Sequence, residues 1–275
     1  DIFDDGAVGF IPKPENNESM SSFQARIKDT LLNLTFLLKR YTLKKPRAQI
    51  EQKKIKTKQT EVELRNHPDV VLKSMPALMP GNKVIAIGSS TGGVESLLTV
   101  FKNLPINLPP IIITQHIPYG FSNSFAHRLN DNSEIDVCEA KDGMTLEKSH
   151  AYLSPGNMHL TITKQRDGKY KINLLDTVKV SRHRPSVDIM FRSINNQTGS
   201  NSMAIMMTGM GDDGSIGIKE LYDNGAYTVA QNEESCVVFG MPAKAIEAGA
   251  VKDIIHLNDI AQYITEYSKG KRKNK

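Results

Sequence analysis

The chain has 275 residues, 39% of them hydrophobic and 24% charged, with a formal net charge of +5 and two cysteines. That length can bury a sizeable core in one or two domains; no apolar run or leader pattern points to a membrane span or export, and Cys138 and Cys236 lack the CxxC spacing of a zinc site. The basic surplus is local: residues 41–60 carry seven Lys/Arg and one acid and residues 269–275 five Lys/Arg, which leaves 23 bases against 29 acids, a net −6, elsewhere. The basic runs therefore read as solvated segments rather than a nucleic-acid face, and a cytoplasmic protein with reduced thiols is expected.

In chain order, Ala7-Val8-Gly9-Phe10-Ile11-Pro12-Lys13-Pro14 reads as a short strand ending in Lys-Pro. Phe23, Ile27, Leu31, Leu34 and Leu38 then recur at helical spacing. One strand and one helix over residues 1–40 suggest the closing βα piece of a domain whose remainder lies upstream. Residues 41–80 turn basic and then proline-punctuated, which predicts a linker with His67 exposed to solvent. Over residues 81–268 apolar strands alternate with helical patterns, so the fold class is α/β: a doubly wound, mostly parallel sheet flanked by helices. Strands are expected near 84–87, 111–114, 135–139, 151–153, 158–163, 170–174, 202–208 and 226–230. Helices are expected near 94–101, 122–129, 187–194, 216–224 and 243–248, with an Asp167-Gly168 turn closing one hairpin. Residues 269–275 form a basic tail.

Between the first strand and its helix stands Gly88-Ser89-Ser90-Thr91-Gly92. This fits G-x-S-x-G, the turn that lifts a serine hydroxyl above a strand end, and makes Ser90 a candidate nucleophile. A phosphate-binding loop or a plain structural turn would also fit, although Ser90 stands where the dinucleotide fingerprint needs glycine and no GKS or GKT follows. In a parallel sheet the turns beyond the C-terminal strand ends share one crevice. Three of them carry reactive side chains: Ser90, His116 and the Asp212-Asp213 pair. A serine needs a histidine to take its proton, and the histidine a carboxylate to fix its tautomer. Taken singly, His116 reads equally as a hydrogen-bonded structural residue, and Gly-Asp-Asp-Gly as a capped turn or an Mg²⁺ pair. His127, His150, His159, His183 and His256 show no ligand spacing and read as surface or structural residues. Arg182 and Arg184 are candidate contacts to an acidic substrate, with a solvated charge cluster as the other reading. The chain order Ser, His, Asp departs from that of ordinary α/β-hydrolases.

The segments IGSSTGG, ITQHIPYGFSNSFAHRLN, RHRPSVD, TGMGDDG and AQNEESCVVFGMP, from about Lys83 to Leu257, together resemble the catalytic domain of the chemotaxis-receptor methylesterase family. The resemblance implies that Ser90 is the nucleophile, His116 its base and Asp213 the carboxylate, with the backbone N–H groups of Thr91 and Met210 forming the oxyanion site. It implies hydrolysis of γ-glutamyl methyl esters and glutamine deamidation, with no metal or organic cofactor and an open crevice. The implied partners are the cytoplasmic helices of methyl-accepting chemotaxis receptors, which give the protein its only link to a membrane, and a chemotaxis histidine kinase acting through a receiver domain. Residues 1–40 would be the end of that receiver, Lys13 matching its phosphate-pairing lysine, and the chain, short of the rest, would be constitutively active. Asp212 stands where the family commonly has asparagine and Ser89 where it has alanine, so Asp212 and Ser89 are the rival assignments. A nucleotide-binding or nucleic-acid-binding regulatory module is the alternative class.

Overall fold

The computed structural model describes residues 66–75 and 81–271. The chain divides into two units, Asp1–Thr60 and Glu61–Lys275, and every described residue lies in the second. The expected receiver remnant at 1–40, most of the linker at 41–80 and the last four residues of the tail fall outside the described residues.

Strands β1 (Val84–Ser89), β2 (Ile111–Gln115), β3 (Asp136–Glu139), β4 (His150–Leu153), β7 (Ser202–Met206), β8 (Tyr227–Gln231) and β9 (Asp253–Ile255) form one sheet. Its order is β3-β4-β2-β1-β7-β8-β9, and every neighbouring pair is parallel. The remaining strands, β5 (His159–Lys164) and β6 (Tyr170–Leu175), pair antiparallel as a separate hairpin across the expected Asp167-Gly168 turn. Among the described residues six α-helices flank the sheet: α1 (Gly93–Phe101), α2 (Ser122–Asn130), α3 (Val187–Thr198), α4 (Ser215–Asp223), α5 (Met241–Glu247) and α6 (Ile260–Ser268).

The period of two along a strand sorts the apolar residues onto two faces. Ile85, Ile87, Ile111, Ile113, Met203 and Ile205 pack with Leu97 and Phe101 of α1, Phe125 of α2 and Ile264 of α6. Val84, Ala86, Ile112, Ala204 and Met206 pack with Phe191 of α3, Ile218 of α4 and Met241 of α5. Both faces being covered explains why these strands read as unbroken apolar runs. The strand order reverses at β1, flanked by β2 and β7, so a crevice opens above the C-terminal ends of these three strands.

One strand and one α-helix escaped the sequence reading. β9 is a three-residue edge strand, too short for a pattern, whereas α6 carries Ile260, Ala261, Ile264 and Tyr267 on one buried stripe that helical spacing could have revealed.

Residues 66–75 are docked rather than solvated. Arg192 of α3 is buried; its Nη1 donates to Asp69 Oδ1 (2.6 Å) and Leu72 O (2.9 Å), while its Nε and Nη2 hold Glu220 (3.0 and 2.5 Å). Asn196 brackets the same stretch, accepting from Met75 N–H and donating to Lys73 O, both at 2.8 Å. Asn66 donates to Lys179 O at 2.9 Å. Polar bonds hold this segment, which is why its low hydrophobicity looked like a linker; His67 is exposed as expected.

Arg192→Ala strips a buried cation from two partly exposed carboxylates and should lower stability in urea by about 1–3 kcal/mol. Asp69→Asn, altering only the more exposed partner, should shift the urea midpoint less than Arg192→Ala does.

Candidate active site

Ser89 closes β1 and Ser90 follows it, with opposite fates. The Ser89 side chain points into the fold, fully buried, and donates to Gln115 Oε1 at 2.7 Å. Ser90 is half-buried at the foot of α1; its N–H donates to Thr208 O (3.0 Å), and its carbonyl accepts from Gly93 N–H (2.8 Å) and Gln115 Nε2 (2.9 Å). The backbone of Ser90 is thus tied to the ends of both β2 and β7. Gly209 makes the approach from β7 possible, since a Cβ there would stand 2.8 Å from Ser90 Cβ. Of the two serines, Ser89 is buried with its hydroxyl engaged, and Ser90 alone retains exposure to solvent.

His116 follows β2, its side chain 9% exposed, and its Nε2 lies 2.7 Å from Asp213 Oδ2. Asp213 is enclosed by donors: Val187 N–H (2.7 Å) also reaches Oδ2, while Ser186 Oγ–H (2.7 Å) and Asp188 N–H (3.1 Å) reach Oδ1. Burial alone would raise this carboxyl's pKa. The His116 hydrogen bond and charge outweigh it, with Ser186 and Val187, so Asp213 is held below the usual carboxylate range. An ionised carboxylate only accepts, so His116 carries its proton on Nε2. Nδ1 is then a lone pair, and it is buried without a partner among the described residues. A carboxylate, an oriented imidazole and an unoccupied basic nitrogen can take a proton from a hydroxyl brought to Nδ1; Ser90 Oγ makes no hydrogen bond to it in this structure.

The geometry separates the two aspartates. Asp212 lies on the crevice rim, where Arg182 Nη2 donates to it at 3.2 Å. Asp213 turns inward to His116, so the pair does not present two carboxylates to one ion. Arg184 is engaged by Asn157 Oδ1 (2.8 Å from Nη2), Asp176 Oδ1 (2.5 Å from Nη1) and Thr177 O. Among the described residues the backbone N–H groups of Thr91 and Met210 donate to no protein acceptor, and no group of three His, Cys, Asp or Glu could hold a metal ion.

Sequence reasoning missed the supports. Ser186, Val187 and Asp188 form the start of α3, where unpaired N–H groups and the helix dipole suit an anion. Asp188 itself accepts from Ile216 N–H and Gly217 N–H at the start of α4 and from Ser181 Oγ–H; burial and the adjacent Asp213 push it up to about 7. Of the surface and structural readings of His159, the fold takes the structural one: the residue is fully buried, and its Nδ1 accepts from Ser186 N–H at 3.1 Å. His183 is stacked on His116 in the crevice, ring centroids 3.7 Å apart and planes 12° from parallel. Burial, then the charge of His116, pushes it down to about 4. The segment RHRPSVD contains all of these α3 residues, but spacing alone did not reveal which would face Asp213.

A carboxyl whose folded-state pKa is depressed contributes stability above its unfolded value, near 3.9, and loses it as pH falls through the folded value. Asp213→Asn should therefore cost about 1–3 kcal/mol at pH 7. In urea titrations repeated at falling pH, the gap to the parent should close below about pH 4.

The family model described as CheB methylesterase matches residues 85–264. A Yersinia pestis protein named protein-glutamate methylesterase/protein-glutamine glutaminase is 47% identical over 201 residues, 71% of this chain and 57% of that one. A protein of the same name from Pectobacterium atrosepticum is 40% identical over 257 residues, 94% of this chain and 68% of its own. The chain thus spans only 57% of the Yersinia relative's length. The crystal structure of the Thermotoga maritima CheB methylesterase catalytic domain superposes with a TM-score of 0.65 at 38% identity, covering 68% of this chain and 98% of that one. The model match spans more than half of the sequence, and the chain belongs to the CheB methylesterase family.

Proposed function

We propose that this chain is a cytoplasmic protein-glutamate methylesterase, and a protein-glutamine deamidase by the same chemistry, whose catalytic domain occupies residues 81–268. The observation that carries the reading is the buried His116–Asp213 pair, with Nδ1 unpartnered, beside the half-buried Ser90. In this reaction Ser90 Oγ attacks the side-chain carbonyl of a methylated glutamate and passes its proton to His116 Nδ1. Asp213 stabilises the imidazolium. The N–H groups of Thr91 and Met210 receive the oxyanion, aided by the N-terminus of α1. Methanol, or ammonia from glutamine, leaves with the proton from His116, and water then opens the acyl-enzyme by the reverse transfers. The chain's own groups supply each of these steps.

A glutamate on a receptor helix requires a surface rather than an enclosed pocket. Tyr119, Phe121, Met210 and Val237, on the turns after β2, β7 and β8, are each more than half exposed and give an apolar rim suited to a helix of a methyl-accepting chemotaxis receptor. Arg182, paired with Asp212 yet 44% exposed, is the better placed of the two arginines to meet acidic substrate groups. Control by a chemotaxis kinase through a receiver domain belongs to the same reading.

Methanol release from methylated receptor membranes tests it. Ser90→Ala should lose about 10³-fold or more in rate. Ser89→Ala should keep the parent rate while losing about 1–3 kcal/mol of stability, because Gln115 Oε1 loses its buried donor. Methanol release by Ser90→Ala at the parent rate would sink the mechanism.

A further inference from the structure

We infer that His183 is a positioning residue for this acyl transfer: its ring, stacked on His116, holds that imidazole in the orientation Asp213 sets and keeps water off one face. The inference rests on the proposed hydrolase reading and goes beyond its three catalytic residues. Asp213 grips His116 at a single atom, Nε2. A ring held at one atom can still tilt about that bond and swing Nδ1 away from Ser90, and such misplacement is costly in a proton-transfer step. A parallel ring 3.7 Å away removes this freedom.

The loop that carries His183 is built to present it. Val180 and His183 exchange both backbone hydrogen bonds, Val180 N–H to His183 O at 3.0 Å and His183 N–H to Val180 O at 2.8 Å. The two residues between them, Ser181 and Arg182, are non-glycine residues at φ +48° and +69°, a conformation that persists only where its surroundings fix it. Those surroundings are on both sides: Ser181 Oγ–H is bonded to the buried Asp188 (2.9 Å), and Arg184 is pinned by Asn157 and Asp176. A surface histidine would need none of this.

Electrostatics suits the role. Asp213 favours a charge on His183, whereas burial, His116, Arg182 and Lys179 oppose it, so the ring stays neutral at physiological pH. Two stacked imidazolium rings would repel; a neutral one leaves His116 as the ring that gains the proton.

The test compares His183→Ala with His183→Phe, which keeps a flat ring but no nitrogen. Methanol release is measured from methylated receptor membranes, and Ser90 labelling with a fluorophosphonate probe. His183→Ala should lower kcat and the labelling rate about 10- to 100-fold with KM within about twofold. His183→Phe should recover both to within about threefold of the parent, with the acid limb of its pH profile unmoved. Parent rates in His183→Ala, a loss confined to KM, or a His183→Phe as impaired as His183→Ala would each overturn the inference. A parent chain left unlabelled at Ser90 would overturn the hydrolase reading itself, an outcome separate from these.

Discussion

A single buried negative charge organises the crevice. Asp213 is removed from water, and an ionised carboxylate there is tolerable only if donors surround it. Four do so: Val187 N–H and Asp188 N–H from the first turn of α3, Ser186 Oγ–H from its cap, and His116 Nε2–H from the turn after β2. The requirement fixes where α3 begins and how it meets the sheet. Gly88, on β1, allows that approach, because any Cβ there would overlap Val187. The orientation of His116, the burial of its Nδ1 and the loop that brings His183 onto its face follow from the same placement.

The cost of this arrangement is visible in the neighbouring groups. Asp188 lies beside Asp213, and its raised pKa records the repulsion between two carboxyls in one dry region. The N-termini of α3 and α4 absorb it between them, the first serving Asp213 and the second Asp188 through Ile216 and Gly217. Farther along α3, Arg192 ties the helix to Asp69 and Glu220. A helix that holds a buried carboxylate at one end is thus clamped at its middle, and the docked stretch 66–75 is part of that clamp.

Much of the fold was legible because burial on both faces leaves a direct trace in composition: Ile85–Ile87, Ile111–Ile113 and Met203–Met206 can hardly be anything but central strands. The candidate site was legible in a different way. Ser90, His116 and the aspartate pair each follow such a strand, and parallel topology gathers strand ends on one side. What spacing did not carry is contact between residues distant in sequence. Asp213 accepts from Ser186 and Val187 across more than 25 positions, and His183 meets His116 across a longer gap still. A histidine without ligand spacing leaves no periodic signal, so the stacked ring looked like any surface residue. The docked 66–75 stretch escaped for a related reason, since hydrogen bonds to Arg192 and Asn196 leave no apolar pattern.

By itself the sequence determined the α/β class, the strand-turn-helix around Gly88–Gly93, and the candidate residues Ser90 and His116, because local periodicity and turn chemistry act over a few neighbouring positions. It narrowed the carboxylate to Asp212 or Asp213, adjacent residues that no local rule separates. Only the tertiary structure turned Asp213 inward and Asp212 toward Arg182, buried Ser89 against Gln115, left the N–H groups of Thr91 and Met210 without acceptors among the described residues and set His183 upon His116. Those choices depend on which helix N-terminus and which strand ends meet in space, and the packing of the whole sheet decides that.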